Sequence, residues 1–223
     1  MSTATIERTP DTETADEAAT PAAVIALKRR TIDSVLIGFG VVATAVFAIA
    51  GGLLTWGHNF SNDYVTNELS SQNITFPSAE ELNSEGRTDL VGFADERLNT
   101  GDEAEAYASF IDGHLEGIAD GATFADLGAV EREAGAAVEA ATADGASATQ
   151  VAELQGEADA VTGQRDSLFR GETLRGLLLS AFAWSTVGRI AGIAAIVAFA
   201  AAGALLVLIG FGLRHHHKVV QTS

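Results

Sequence analysis

Residues 190–213, IAGIAAIVAFAAAGALLVLIGFGL, decide the fold. These 24 residues carry no charge. At about 1.5 Å of rise per residue, a helix of that length crosses the ~30 Å hydrocarbon core of a bilayer with a little to spare. A second uncharged run, 34–56 (SVLIGFGVVATAVFAIAGGLLTW), lies near the other end. The rest of the chain follows from these two. The expected fold is an all-α membrane protein with two transmembrane helices flanking an acidic helical extracytoplasmic domain that contains a helical hairpin. Its divisions are a disordered cytoplasmic tail, 1–33, a first transmembrane helix, 34–56, the acidic helical domain, 57–189, a second transmembrane helix, 190–213, and a cytoplasmic tail, 214–223.

The charge is placed as unevenly as the hydrophobicity. Net charge is −17. Between 57 and 186 there are 24 Asp and Glu against 6 Arg and no Lys. Such a surface repels phosphate backbones, so nucleic acid is excluded as a partner. There is no cysteine, hence no disulfide, thiolate metal site or cysteine nucleophile, and the insert must be held by packing.

Orientation comes from the flanks. Lys28, Arg29 and Arg30 precede the first run, and Arg214 and Lys218 follow the second, which places both termini in the cytoplasm. Arg170, Arg175 and Arg189 near the outer end of the second run weaken this signal. Trp56 and Trp184 stand at the two outer boundaries, where indoles favour the headgroup layer. Ala48-Ile49-Ala50 has the small-x-small form of a signal-peptide cleavage site. The long polar stretch before the run, and the apolar residues Leu53, Leu54 and Trp56 beyond the site, favour a retained span instead.

The insert reads as helical. Residues 58–71 prolong the first span outward, and Ile74-Thr75-Phe76-Pro77 is an extended break, because Pro77 moves Phe76 out of helical angles. Ser78-x-x-Glu81 and Thr100-x-x-Glu103 are capping boxes. After the second, Tyr107, Phe110, Ile111, His114, Leu115 and Ile118 mark one helical face, with Glu105, Asp112 and Glu116 opposite and Gly121 at the end. Two partner helices carry seams at Leu127, Val130, Ala134, Ala137, Ala141 and at Val151, Leu154, Ala158, Val161, Leu168, the latter interrupted by Arg165. The turn Asp144-Gly145-Ala146-Ser147 and the box Ser147-x-x-Gln150 join them into an antiparallel, coiled-coil-like hairpin. Residues 174–184, LRGLLLSAFAW, are too short to span, and either continue one long helix or lie in the interface. Within the spans, Gly40, Thr44, Ala48 and Gly52 recur every four residues, as do Gly188 with Gly192 and Ala198 with Ala202. Such small residues let membrane helices pack closely.

No motif marks a catalytic, cofactor or metal site. Gly38-Phe39-Gly40-Val41-Val42-Ala43 has the form of a dinucleotide fingerprint, but it stands inside a span instead of between a strand and a helix. His114 has Asp112 and Glu116 near it in sequence, yet at helical spacing the acids point away from it, so it reads as a histidine at the core edge. His215, His216 and His217 have the composition of a metal-binding tract, but directly after a span they read better as a soft basic flank at the cytoplasmic headgroups. Glu80-Glu81, Asp95-Glu96 and Asp102-Glu103 are neighbours in sequence and not opposed across a cleft. Neither span carries an internal ionisable residue, which argues against a transport path. Asn73-Ile74-Thr75 is a glycosylation sequon.

Three stretches carry a resemblance: Ile74-Thr75-Phe76-Pro77; Ala106-Tyr107-Ala108 leading into Phe110-Ile111 and His114-Leu115; and the run 168–179, LFRGETLRGLLL. From Ser34 onward the chain resembles a group of uncharacterised two-span membrane proteins of high-GC Gram-positive bacteria (actinobacteria). The resemblance implies the two-span topology and a bacterial plasma membrane, and brings no catalytic residue. The expected function is that of a non-enzymatic integral membrane protein, a scaffold or accessory subunit. Its expected partners are the lipid bilayer and a membrane or envelope protein, or further copies of itself. An envelope enzyme or a weak divalent-cation binder is the alternative.

Overall fold

In a computed structural model the backbone is described over residues 20–221 and the side chains over 31–215. The elements are α1 (Thr20–Ser71), α2 (Ala79–Ser84), a 3₁₀ turn (Thr88–Phe93), α3 (Gly101–Ile118), α4 (Phe124–Ala143) and α5 (Ala148–Gln221). Two of them, α1 and α5, are long and apolar enough to cross a membrane. The helix already runs from Thr20, so residues 20–33 are helical and not an irregular tail; residues 1–19 of that tail lie outside the described residues. Helix α1 does continue to Ser71, and 174–184 belongs to α5 without a break.

The chain divides into two compact units, Met1–Gly52 with Ala195–Ser223, and Leu53–Ala194. In the first, small residues face inward. Gly51, Ala195, Ala198 and Ala202 are buried. A Cβ on Gly51 would come within 2.9 Å of the Phe199 ring, and one on Gly40 within 3.1 Å of Ile209. Large apolar residues face outward: Leu36, Phe39, Val42, Val46 and Ile49 on α1, and Ile196, Val197, Leu206 and Phe211 on α5. This inside-out distribution suits lipid, where close backbone approach holds helices together and exposed leucine costs nothing.

The every-fourth stripe expected on α1 is not the face that packs. Ala48 and Gly52 are exposed, and nothing lies within 4 Å of a Cβ on Gly52. The inward positions are instead Ile37, Gly40, Thr44 and Gly51, spaced 3, 4 and 7. Four residues turn a helix about 40° past a full circle, so three such steps rotate the row by roughly 120° and off the contact. Alternating steps of three and four hold the face.

The second unit folds around α3. One side of that helix presents Ala104 and Ala108 to Val65 and Leu69 of α1, to Leu178 of α5, and to Phe76 and Leu98 from the loops. Another side presents Phe110 to Leu82 of α2 and Leu90 of the 3₁₀ turn. Leu115, at the far end, clusters with Leu127 of α4 and Leu168 of α5. The extended break is paired: the Phe76 amide donates to the Glu96 carbonyl, and the Leu98 amide to that of Ile74. Phe76 then stacks on Phe93 and meets Tyr107 edge-on. All three expected capping boxes form, Ser147 with Gln150 included, and a fourth, Thr123 with Asp126, opens α4. Asp120 and Gly121 take positive φ just past α3, where the Gly121 amide donates to the Glu116 carbonyl and closes the helix.

Along α4 the seam differs from the expected one. Val130 is exposed and Glu131 takes its place beside Ala134. Glu131 meets Arg165, the residue that interrupts the α5 seam, at 2.5 Å. The guanidinium also lies 4.2 Å over the Phe124 ring, and its Nε is buried with no hydrogen-bond partner among the described residues. Two breaks in two apolar rows thus meet each other as one ion pair.

Candidate functional site

Within the second unit, α1, α5 and the start of α3 enclose an open polar cleft of about 430 Å³. Glycines on α5 allow it. A Cβ on Gly188 would come within 2.9 Å of Ser61, and one on Gly192 within 2.9 Å of the His58 ring. The sequence singles out this glycine pair correctly, but its neighbours are polar. Ser61 is buried and donates from Oγ to the Trp184 carbonyl at 2.5 Å. His58 Nδ1 lies 2.8 Å from the Gly188 carbonyl, which can only accept, so Nδ1 is the donor. Nε2 is then the acceptor that faces Asn62 Nδ2 at 3.2 Å. Held at both nitrogens, His58 clamps α1 to α5.

Across from this neutral wall stands the charged one. Arg189 Nη2 donates to Asp102 Oδ1 at 2.6 Å, over 87 residues of sequence. The two side chains are 56% and 61% exposed. Thr66, Thr100 and Ser185 add hydroxyls to the lining. Gly101 allows α3 to begin here, since a Cβ at 101 would run into Ser185. In the sequence Asp102 stands in a pair of adjacent acids and Arg189 at a membrane boundary. Their meeting depends on the docking of α3 against α5, which no local pattern announces.

The other residues singled out in the sequence lie elsewhere. His114 is 53% exposed, with Nδ1 at 3.1 Å from the Phe110 carbonyl and Nε2 at 3.8 Å from Glu85. Asp112 is half-exposed and pairs with Arg175 of α5 at 3.3 Å. Glu81 and Glu103 are occupied in their capping boxes. Two hydrogen bonds from Ser78, its backbone amide first and its hydroxyl second, hold the Glu81 carboxyl below its ordinary range. Gly38 and Gly40 lie inside α1, with helix and not strand directly before them. His215 belongs to α5, whereas the side chains of His216 and His217 lie outside the described residues. Among the described residues, no three His, Asp or Glu side chains converge as metal ligands would. Arg87 ties the small elements to α3 by donating to the Ser109 carbonyl at 2.7 Å and to Asp89 at 2.8 Å.

An aromatic ladder stands beside the cleft residues on α1. Trp56, Phe60 and Tyr64 stack at 5.5 and 6.4 Å, and Tyr64 meets Trp184 edge-on at 6.4 Å. All four rings are exposed.

No protein-family model, curated protein or solved structure matches this chain.

Proposed function

We propose that the chain is a non-enzymatic, two-span membrane protein that presents an acidic helical domain outside the plasma membrane as an interaction module, a scaffold or accessory subunit. Both termini are cytoplasmic in this reading. The α4–α5 hairpin, clamped by Arg165 and Glu131, forms an arm of the extracytoplasmic domain. One observation supports the reading above the rest: the two helices able to cross a membrane bracket a stretch whose acids outnumber its arginines 24 to 6. Among the described residues of the cleft, His58, Asn62, Arg189 and Asp102 are joined to one another or to backbone and form no nucleophile–base pair, which favours binding over catalysis.

Topology is the first test. Single cysteines replacing Ser2, Ala136 and Ser223 are treated on intact cells with a membrane-impermeant thiol reagent. Ala136 is exposed on α4, where a thiol is open to the reagent. Only the Ala136→Cys variant should label. Labelling at Ser223→Cys would overturn the two-span arrangement, and a shortened, secreted product would show cleavage after Ala50. Stoichiometric co-purification of a membrane partner, or of further copies, from mild detergent is the expected functional result.

A further inference from the structure

We infer that the cleft between α1, α3 and α5 binds the headgroup of a zwitterionic phospholipid, with its phosphate at Arg189 and its primary ammonium at Asp102. The inference rests on the reading of 34–56 and 190–213 as membrane spans.

Three observations carry it. The first is the charge pattern. Arg189 and Asp102 lie side by side, 2.6 Å apart, and each is more than half exposed on an open cleft. A ligand dipole laid antiparallel to this pair meets an opposite charge at both ends without separating the two residues. A purely anionic ligand would meet the Asp102 carboxylate and the surrounding excess of acids, and a purely cationic one would meet the guanidinium. The planar fork of arginine also suits phosphate oxygens better than a point charge would.

The second is the uncharged wall. Thr66, Thr100 and Ser185 line the same cleft with hydroxyls. These groups suit phosphate and ester oxygens. His58 and Asn62 are fixed by each other and by the Gly188 carbonyl, so the wall is pre-formed.

The third is what lies one helical turn away. Residues four apart share a helix face. Four before His58 is Leu54, and four after Arg189 is Ile193, which is exposed. The cleft therefore has an apolar edge on the faces that carry its polar residues. That is the arrangement for a polar head with a hydrocarbon chain attached, and it separates a lipid from a free phosphoamine.

The test uses the full-length protein in mild detergent, offered equal amounts of phosphatidylethanolamine, phosphatidylglycerol and phosphatidylcholine, with bound lipid counted by native mass spectrometry. Phosphatidylethanolamine should be retained at least about tenfold over the anionic lipid. Phosphatidylcholine, whose ammonium has no N–H for Asp102, should be held more weakly. Arg189→Gln and Asp102→Asn should each abolish the preference while leaving the circular dichroism unchanged. Should Arg189→Gln misfold, Asp102→Asn carries the test. Equal retention of phosphatidylglycerol, or an unaltered preference in a folded variant, would overturn the site. Binding of water-soluble glycerophosphoethanolamine as tight as that of the lipid would overturn the lipid assignment. Carbonate extraction of the membranes reports separately on the underlying topology: release of the protein sinks the span reading, whereas retention without headgroup preference sinks the site alone.

Discussion

Gly101 shows how much one missing side chain decides. It is buried at the first position of α3, and a Cβ there would overlap Ser185 of α5. Because Ser185 presents its Cβ and not a flexible tip, a rotamer change gives no relief. Gly101→Ala should therefore destabilise the folded chain by roughly 1–3 kcal/mol. Ser185→Gly in the same chain should restore much of that, since the next neighbour, the Phe182 Cα, would lie at 3.4 Å, an ordinary contact. Thermal melts of the single and double variants check this, and lack of rescue would mean the clash is relieved by backbone movement. A second residue-scale expectation concerns Leu82, which is fully buried against Phe110 and Leu90. Leu82→Ala should cost about 2–5 kcal/mol. Neither residue stood out in the sequence. Leu82 lies on a six-residue helix too short to show a stripe, and the small core residues Ala104 and Ala108 of α3 give little hydrophobic signal although both are buried. The larger residues of α3 were more legible: Phe110 and Leu115 do face the core, whereas His114 turns outward.

At the scale of elements, helix starts were legible because capping is local chemistry. Ser78 with Glu81, Thr100 with Glu103 and Ser147 with Gln150 all bond as their spacing requires. Pairings distant in sequence were not legible, as with Ile74 and Leu98 or Glu131 and Arg165. The caps imply a pH dependence. The Thr123 hydroxyl and then its amide hold the Asp126 carboxyl below its ordinary value, and Thr162 and then Arg165 do the same for Glu131. A carboxyl with a depressed folded pKa binds its proton more weakly folded than unfolded. Its stabilisation is complete above the unfolded value, near 4, and is lost as pH falls through the folded one. The melting temperature of the second unit should hold from pH 7 to about 5 and fall below it. Asp126→Asn should be less stable at pH 7 and show a smaller acid-induced fall; an identical acid profile would remove the cap as its cause. Element packing in the first unit makes a paired prediction. Gly51→Leu should weaken the association of α1 with α5, because it drives bulk into the Phe199 ring, whereas Ala48→Leu on the exposed face should not. Close backbone approach of this kind is what holds helices together in lipid. Fluorescence transfer between separately labelled helices in vesicles would distinguish the two variants, and equal weakening by both would contradict the inward face.

For the whole molecule the deciding quantity is charge, and two opposing effects set the response to salt. Several arginines of the insert pair with acids: Arg87 with Asp89, Arg165 with Glu131, Arg170 with Asp166, and Arg175 with both Asp112 and Glu172. Salt weakens such pairs, but exposed pairs contribute only about 0–1 kcal/mol each. Against them stands the excess of 24 acids over 6 arginines between 57 and 186, most of which no arginine can neutralise. At low salt that surplus repels itself through a Debye length of about 30 Å, a distance comparable with a small domain; at 0.1 M the length falls to about 10 Å. Screening therefore removes many weak repulsions while costing a few weak attractions, and repulsion is the larger sum. The full-length protein in a non-ionic detergent should melt at a higher temperature in about 0.1–0.3 M sodium chloride than in 0.01 M. Most of the gain should come below 0.1 M, where screening changes fastest. Potassium chloride should act equally, because the effect belongs to ionic strength and not to a bound cation. A far larger response to a millimolar divalent salt than to sodium chloride of equal ionic strength would point to a specific cation site among the acids. A melting temperature that falls with sodium chloride would show that the ion pairs outweigh the repulsion.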